Sequence, residues 1–161
     1  MQGFENILVL TDFTPASWEA LKYGAMFHNS VQSNITLLHV VPSKVNGNGK
    51  DRDKTNVSIG LVEQKIQLLQ KEMSQNGGTR TVVLNGNVTD EILKHLEAVH
   101  YDLIVMGANG NGGLNSDLGR NTRTILQSAG VPVMVLPSKK QLLHQNGNGN
   151  MDSPDLDLLA S

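Results

Sequence analysis

The segment GANGNGGLNSDLGRNT, residues 107–122, contains five glycines and four asparagines. It follows the apolar run DLIVM, residues 102–106, and leads into residues with helical spacing. Because glycine has no Cβ, its backbone amides can approach a phosphate closely. A helix start adds free amides and the positive end of the helix dipole. The segment is therefore either a long loop without a ligand or an anion site built from backbone amides.

A second group of candidate residues, Thr11 and Asp12, follows another short apolar run, residues 6–10 (NILVL). Asp12 has two interpretations: a carboxylate that contacts a ligand, or a turn residue that caps the loop before Thr14. In open α/β sheets, ligands bind beyond the carboxyl ends of the strands, where the strand order reverses. If the strands before Asp12 and Gly107 are neighbours, both residues line one crevice.

The other titratable residues suggest no catalytic or metal centre. His39 lies in a predicted buried strand, where we expect a hydrogen-bonded core histidine. His95 and His100 are five residues apart, a spacing that does not place two metal ligands on one helical face. The chain has no cysteine, which excludes disulfides and thiolate metal sites. Since no nucleophile with a general base is evident, we expect a binding protein without fast turnover.

Three familiar phosphate-binding or phosphorylated patterns do not fit the chain. The glycine segment lacks the Gly-Lys-Ser/Thr of a P-loop, and a dinucleotide fingerprint would follow the first strand and not the fourth. A phosphorylated receiver domain needs an acceptor aspartate after strand three. The chain has Asn85-Gly86-Asn87 there, so this interpretation is excluded.

Length and composition predict a single soluble domain. The chain has 161 residues and a formal net charge of −2, with no basic run that would indicate nucleic-acid binding. Its N-terminus, MQGFENILVL, has no basic region and only a short apolar run, which predicts a first strand and not a signal peptide. No apolar stretch approaches the roughly 20 residues needed to cross a membrane. We therefore expect a cytoplasmic protein.

Strand and helix patterns alternate along the chain. Alternation of this kind predicts an α/β fold with a single open five-stranded parallel sheet and helices on both faces. We expect the sheet domain to span residues 1–138, with a mobile loop at 43–57 and a disordered polar tail at 139–161. The predicted strands are residues 6–10, 35–41, 80–84, 103–106 and 131–136. The predicted helices span approximately residues 15–30, 59–73, 90–99 and 121–129.

Several segments, taken in order, resemble the universal stress protein (UspA-type) superfamily over residues 6–137. They are ILVLTDFTPAS followed by EALKYG, ITLLHVV, VVLNGNVTDEIL, DLIVMGANG and TRTILQSAGVPVMVLP. The resemblance implies a Rossmann-like sheet with strand order 3-2-1-4-5. It also implies adenine-nucleotide binding, because many members bind ATP through a glycine motif. In that motif two glycines are three positions apart, and nine residues then separate them from a Gly-Ser or Gly-Thr pair.

The phosphate end of that motif is altered in this chain. Gly107 and Gly110 have the family spacing, but only eight residues separate Gly110 from Gly119, and Arg120 replaces the hydroxyl residue. The resemblance implies that ATP or AMP binds with Asp12 at its ribose or adenine. It implies less strongly that Asp12 also contacts a Mg²⁺ ion indirectly. The implied nucleotide-binding residues are Thr11, Asp12, Val40, Met106, Gly107, Gly110, Gly119, Arg120 and Asn121.

Three functions follow from these observations. The first is a regulatory stress-response protein that binds an adenine nucleotide without fast turnover. The second is an ATP-free dimerisation or interaction module, and the third is a slow Mg²⁺-dependent ATPase. By analogy with the family, strand five is an exposed apolar edge, which predicts a homodimer through Val133, Met134, Val135 and Leu136.

Overall fold

The computed structural model of the chain describes residues 3–43, 60–68, 70–71, 79–108 and 118–137. Its strands form one five-stranded parallel sheet of order β3-β2-β1-β4-β5, which confirms the predicted fold. The strands are β1 (Asn6–Leu10), β2 (Asn34–Pro42), β3 (Thr79–Gly86), β4 (Leu103–Gly107) and β5 (Val133–Leu136). The helices are α1 (Pro15–Val31), α2 (the described helical residues 60–68 and 70–71), α3 (Val88–Ala98) and α4 (Arg120–Ser128).

Strand order places β1 beside β4, with Val9 paired to Val105. From β1 the chain first adds β2 and β3 on one side, then returns to add β4 and β5 on the other. The reversal therefore lies between β1 and β4, which is where an open parallel sheet forms a ligand crevice.

Side chains from alternate strand positions fill two cores, one on each face of the sheet. Ile7 and Val9 belong to the core that α1 and Ile66 of α2 cover. Leu8 and Leu10 belong to the other, which is covered by α3 and α4. Burial on both faces explains why these strands are continuous apolar runs in the sequence, because no position of such a strand faces water.

Helix starts and ends follow local signals. Thr14 caps α1 by accepting a hydrogen bond from the Ser17 amide, and Pro15 is the first helical residue. The cap of α3 is Asn87, so that helix begins at Val88, two residues before the predicted start.

Strand five is shorter than predicted and begins at Val133 instead of residue 131. Gly130, with φ 68°, ends α4 in the left-handed region, as the sequence indicated. The chain then turns before the sheet begins. The Pro132 carbonyl accepts a hydrogen bond from the Ile104 amide. Proline has no backbone N–H, so Pro132 cannot donate a hydrogen bond to β4.

Asp102 joins the beginnings of two neighbouring strands. Its Oδ2 accepts hydrogen bonds from the amides of Glu5 (3.0 Å) and Asn6 (2.8 Å). Together with His100, these amides hold the pKa of the Asp102 carboxyl below its usual range, the Asn6 amide having the largest effect. These two hydrogen bonds hold the start of β4 beside the start of β1. They therefore help to align the carboxyl ends of the two strands.

The predictions for the loop at 43–57 and the tail at 139–161 concern residues outside the described ranges, except for Ser43. The Ser43 amide donates to the Gly86 carbonyl and continues the pairing of β2 with β3 by one residue. No helix among the described residues has the length and apolar character needed to span a lipid bilayer.

Candidate functional site

The turn that follows β1 is held by its own side chains. Asp12 Oδ1 accepts from the Thr14 amide (3.0 Å) and from the Thr14 hydroxyl (2.5 Å). The structure therefore places Asp12 in the capping role that the sequence offered as one interpretation. The residue is nevertheless exposed, and it lies just beyond the carboxyl end of β1.

Thr11 is buried and its polar groups are all directed into the protein. Its amide donates to the Leu38 carbonyl, and its Oγ1 accepts from the Phe13 amide at 3.2 Å and lies 3.3 Å from Ser17 Oγ. Thr11 therefore shapes the turn. Its hydroxyl makes these internal contacts, and its predicted contact with a nucleotide stays a prediction.

Phe13 has a backbone conformation that is rare for an aromatic residue. Its φ of 62° lies in the left-handed region, and its ring centroid is 4.7 Å from that of His39. His39 Nδ1 lies 2.7 Å from the Thr11 carbonyl, which can only accept, so Nδ1 carries the hydrogen. Nothing in the sequence predicts this pair, because the backbone conformation and the ring contact depend on how β1 packs beside β2.

His39 confirms the expectation of a hydrogen-bonded histidine, although it is half-buried and not fully enclosed. Burial lowers its pKa from the ordinary value, and the Thr11 carbonyl and the Asp12 charge oppose this shift only in part. The imidazole is thus neutral near pH 7 and acts as a structural donor.

The backbone groups of Val40 point to the β1 side of β2, beyond the last paired residue of β1. Leu38 accepts from the Thr11 amide on the β1 side, and Ser43 donates to β3 on the other. Because backbone groups of alternate residues point to the same side of a strand, the N–H and C=O of Val40 also point towards the β1 side. The last paired residue of β1 is Leu10, opposite Leu38, so these groups extend past the end of that strand.

Met106 lies at the end of β4 with its side chain in the core on the α3 and α4 face. Only 6% of the residue is exposed. Val40 is in the same core. The two side chains therefore pack in one core at the carboxyl ends of β2 and β4, and the position of Met106 beside a base stays a prediction.

Gly107 is needed for packing between β4 and α1. A Cβ at this position would lie 2.7 Å from the Ala16 carbonyl carbon and 2.8 Å from the Ser17 amide nitrogen. Both are backbone atoms of the first turn of α1, which cannot rotate away as a side chain can. The sequence predicts a phosphate contact for this glycine, but it contains no sign that α1 packs so closely against β4.

The start of α4 is tied to the ends of the neighbouring strands. The Gly119 amide donates to the Ala108 carbonyl (2.9 Å), and the Ala108 amide donates to Leu136 at the end of β5 (2.8 Å). Thr122 Oγ1 donates to the Gly107 carbonyl at 3.2 Å. These three bonds place the first turn of α4 beside the carboxyl end of β4.

That first turn contains the positive end of the helix dipole and no acidic residue of its own. Gly119 is the N-cap and offers no side chain. The first intrahelical bond runs from Arg123 to Gly119, so the amides of Arg120, Asn121 and Thr122 have no acceptor within the helix. The Arg120 and Asn121 side chains are exposed.

The structure thus brings most of the predicted residues to one end of the sheet. Thr11, Asp12, Val40, Met106 and Gly107 lie at the carboxyl ends of three strands, and Gly119, Arg120 and Asn121 start the adjoining helix. Gly110 lies outside the described residues. Within the described ranges, no group of three or more His, Asp or Glu side chains could hold a metal ion.

Comparison with known proteins shows a family relationship over nearly the whole sheet domain. The model of the "Universal stress protein family" matches residues 3–137. Universal stress protein MJ0577 of Methanocaldococcus jannaschii is 24% identical over 159 aligned residues, covering 84% of this chain and 96% of the relative. Its solved structure superposes with a TM-score of 0.76 at 26% identity, covering 84% of this chain and 97% of that one.

Two more distant solved structures share the fold and contain adenine nucleotides. A universal stress protein in complex with cAMP is 14% identical, with a TM-score of 0.65 and coverage of 86% and 100%. A universal stress protein family protein from Arabidopsis thaliana with AMP bound is 17% identical, with a TM-score of 0.52 and coverage of 83% and 92%.

Proposed function

This chain belongs to the universal stress protein family, and we propose that it binds an adenine nucleotide, ATP or AMP, without fast turnover. The site is the crevice at the carboxyl ends of β1, β2 and β4. The observation that carries the proposal is the position of α4. Its first-turn amides have no acceptor within the helix, and the hydrogen bond from Gly119 to Ala108 fixes them beside the end of β4.

The phosphate end is supported by charge. Three backbone amides without helical acceptors and the positive end of the α4 dipole favour an anion. Arg120, at the first helical position, adds a permanent charge whose forked donors match phosphate oxygens. Arginine thereby takes the place of the hydroxyl that the family motif carries here.

The nucleoside end is supported by polarity and shape. The outward N–H and C=O of Val40 match the adjacent acceptor and donor on the edge of adenine. Asp12 is exposed close by, where its free carboxylate surface can accept from ribose hydroxyls. Two relatives of this fold are described with cAMP and AMP, and adenosine monophosphate is the part that these ligands share with ATP.

Binding without fast turnover is supported by the roles of the nearest titratable groups. Asp12 Oδ1 is committed to the Thr14 cap, and His39 Nδ1 is committed to the Thr11 carbonyl. General-base catalysis requires a group free to take a proton from water or substrate. These two atoms are therefore not free to act as the base.

Titration calorimetry with AMP tests the proposal, after any co-purified nucleotide has been removed and identified by chromatography. We expect saturable binding of one AMP per chain and much weaker binding of GMP, because guanine exchanges the donor and acceptor that face Val40. If AMP and GMP produce equally small, unsaturable heats, the nucleotide proposal is wrong.

A second proposal is a homodimer, and it rests on the free edge of β5. Pro132 and Leu136 bond to β4, so the backbone groups of Val133 and Val135 point away from the sheet. All four β5 side chains contact the cores, which leaves the main chain as the pairing surface.

Val135→Pro should shift the protein from dimer to monomer, because it removes an outward amide while leaving the bonds to β4 in place. Sedimentation at micromolar concentration measures the change, and Val135→Thr, which keeps the amide, serves as the control. A wild type that sediments only as a monomer would exclude the dimer. Equal dimer fractions in wild type and Val135→Pro would exclude pairing through this edge.

A further inference from the structure

Phe13 combines two features that core packing does not explain. Its φ of 62° lies in the left-handed region, where a bulky side chain is strained. The residue is also 37% exposed and belongs to neither core, so burial does not offset the strain. Strained backbone conformations concentrate at functional sites, where the surrounding contacts hold them in place.

Three contacts hold Phe13 in this conformation. Its amide donates to Thr11 Oγ1 (3.2 Å). Its ring lies against the His39 ring, with the centroids 4.7 Å apart and the planes tilted by 40°. Lys65 Nζ of α2 lies 6.0 Å from the centroid of the same ring, at the outer limit of a cation–π contact. The ring therefore contacts β2 directly and lies within reach of α2.

His39 is in turn bonded to the residue that ends the β1 segment. Its Nδ1 donates to the Thr11 carbonyl at 2.7 Å, and the Thr11 amide donates to the Leu38 carbonyl at 3.0 Å. The contacts thus form a closed cycle from Thr11 to Phe13, from Phe13 to His39, and from His39 back to Thr11. We call these three residues the clamp. Since its members come from two segments, the clamp fixes the turn after β1 relative to β2.

The clamp lies between the two groups proposed to recognise the nucleoside. Asp12 directly precedes Phe13, and Val40 directly follows His39. Successive Cα atoms are about 3.8 Å apart, so neither group can move far unless the ring contact moves with it. Asp12 Oδ1 also bonds to Thr14, on the other side of Phe13 in the chain. The orientation of the Asp12 carboxylate therefore depends on the backbone conformation of Phe13.

We propose that Phe13 is a positioning residue of the nucleotide site, which acts through His39 to set the separation of Asp12 from Val40. This inference rests on the adenine-nucleotide binding proposed above and adds the device that shapes its nucleoside end. A clamp at this end affects adenosine and AMP equally, since both contain adenine and ribose. The pattern is opposite to that expected for Arg120, whose predicted contact is with phosphate.

Calorimetry with AMP and adenosine on Phe13→Asn and Phe13→Tyr tests the proposal. Asparagine tolerates the left-handed backbone but removes the ring, whereas tyrosine keeps the ring. Phe13→Asn should weaken the binding of both ligands by the same factor, about two- to tenfold, the range for loss of one aromatic pair. Its melting temperature should stay close to that of the wild type, because the lost ring is partly exposed. Phe13→Tyr should bind both ligands as the wild type does.

A double-mutant cycle with His39→Leu separates positioning from direct contact with the base. If Phe13 acts through His39, Phe13→Asn should weaken AMP binding no further once His39 has been replaced. Additive losses would show that Phe13 contacts the base itself and would overturn the positioning role.

Two further outcomes bear on the clamp and on the nucleotide proposal separately. Wild-type affinity in Phe13→Asn, a loss that Phe13→Tyr shares, or a loss for AMP that adenosine does not show would overturn the clamp and leave nucleotide binding intact. A wild type that binds neither AMP nor adenosine would contradict the proposed function, and the clamp with it.

Discussion

Arg120→Ala should weaken AMP and ATP binding tenfold to a hundredfold and change adenosine binding much less. Arg120 is exposed at the first position of α4, where its guanidinium can reach a phosphate held by the helix amides. A charge-assisted hydrogen bond contributes about 1.5–3 kcal/mol, and about 1.4 kcal/mol corresponds to a tenfold change in affinity. Adenosine has no phosphate and therefore does not use this contact.

Calorimetry with the three ligands measures the effect, and Arg80→Ala provides the control. Arg80 is also an exposed arginine, but it lies at the other end of the sheet, so its loss should leave AMP affinity as in wild type. The opposing hypothesis is that Arg120 itself fills the anion position. In that case AMP binding would be absent in wild type or would improve in Arg120→Ala, and the ATP-free dimerisation module would be the better account. Asp117, an acid three residues before Arg120 that could pair with it, lies outside the described residues.

Gly107→Val should destabilise the protein by about 3 kcal/mol, at the upper end of the usual cost of overpacking. The new Cβ would meet backbone atoms of Ala16 and Ser17 at 2.7–2.8 Å, so α1 must move away from β4. Movement of α1 separates it from the core that contains Ile7 and Val105. Thermal unfolding should show a melting temperature lower by roughly 6–12 °C for a chain of this size.

Gly60→Ala is the matched control for this change. A Cβ at Gly60 meets nothing within 4 Å, and alanine is favoured in a helix by about 1 kcal/mol, so the melting temperature should stay the same or rise. Gly107→Ala then distinguishes the two roles of Gly107. Lower stability indicates packing, whereas unchanged stability with lost AMP binding would show that the glycine serves the phosphate and that the packing explanation is wrong.

The sequence by itself determined the elements and their order. The bounds of β1 agree with the prediction at both ends because a strand buried on both faces is an uninterrupted apolar run. The start of α1 at Pro15 and the end of α4 before Gly130 also agree closely with the predicted bounds. Those signals are local: a capping side chain, a fixed φ, and a residue that tolerates positive φ.

The resemblance to a known family supplied what local patterns lack, namely the strand order and the candidate nucleotide residues. From the residues alone, the adjacency of Asp12 and Gly107 stayed conditional on β1 lying beside β4. The residues of one apolar strand do not specify which distant strand it pairs with, because any two such strands can pair. The tertiary structure settled it through the register of Val9 with Val105.

Only the tertiary structure decided what several site residues do. The sequence predicts a phosphate contact for Gly107, whereas the structure shows a packing requirement, since an added Cβ would lie 2.7 Å from the Ala16 backbone. Phe13 adopts a left-handed backbone conformation beside His39. Each role depends on atoms brought together from separate elements, and such distances are set by the packing of the whole sheet and not by the spacing of residues along the chain.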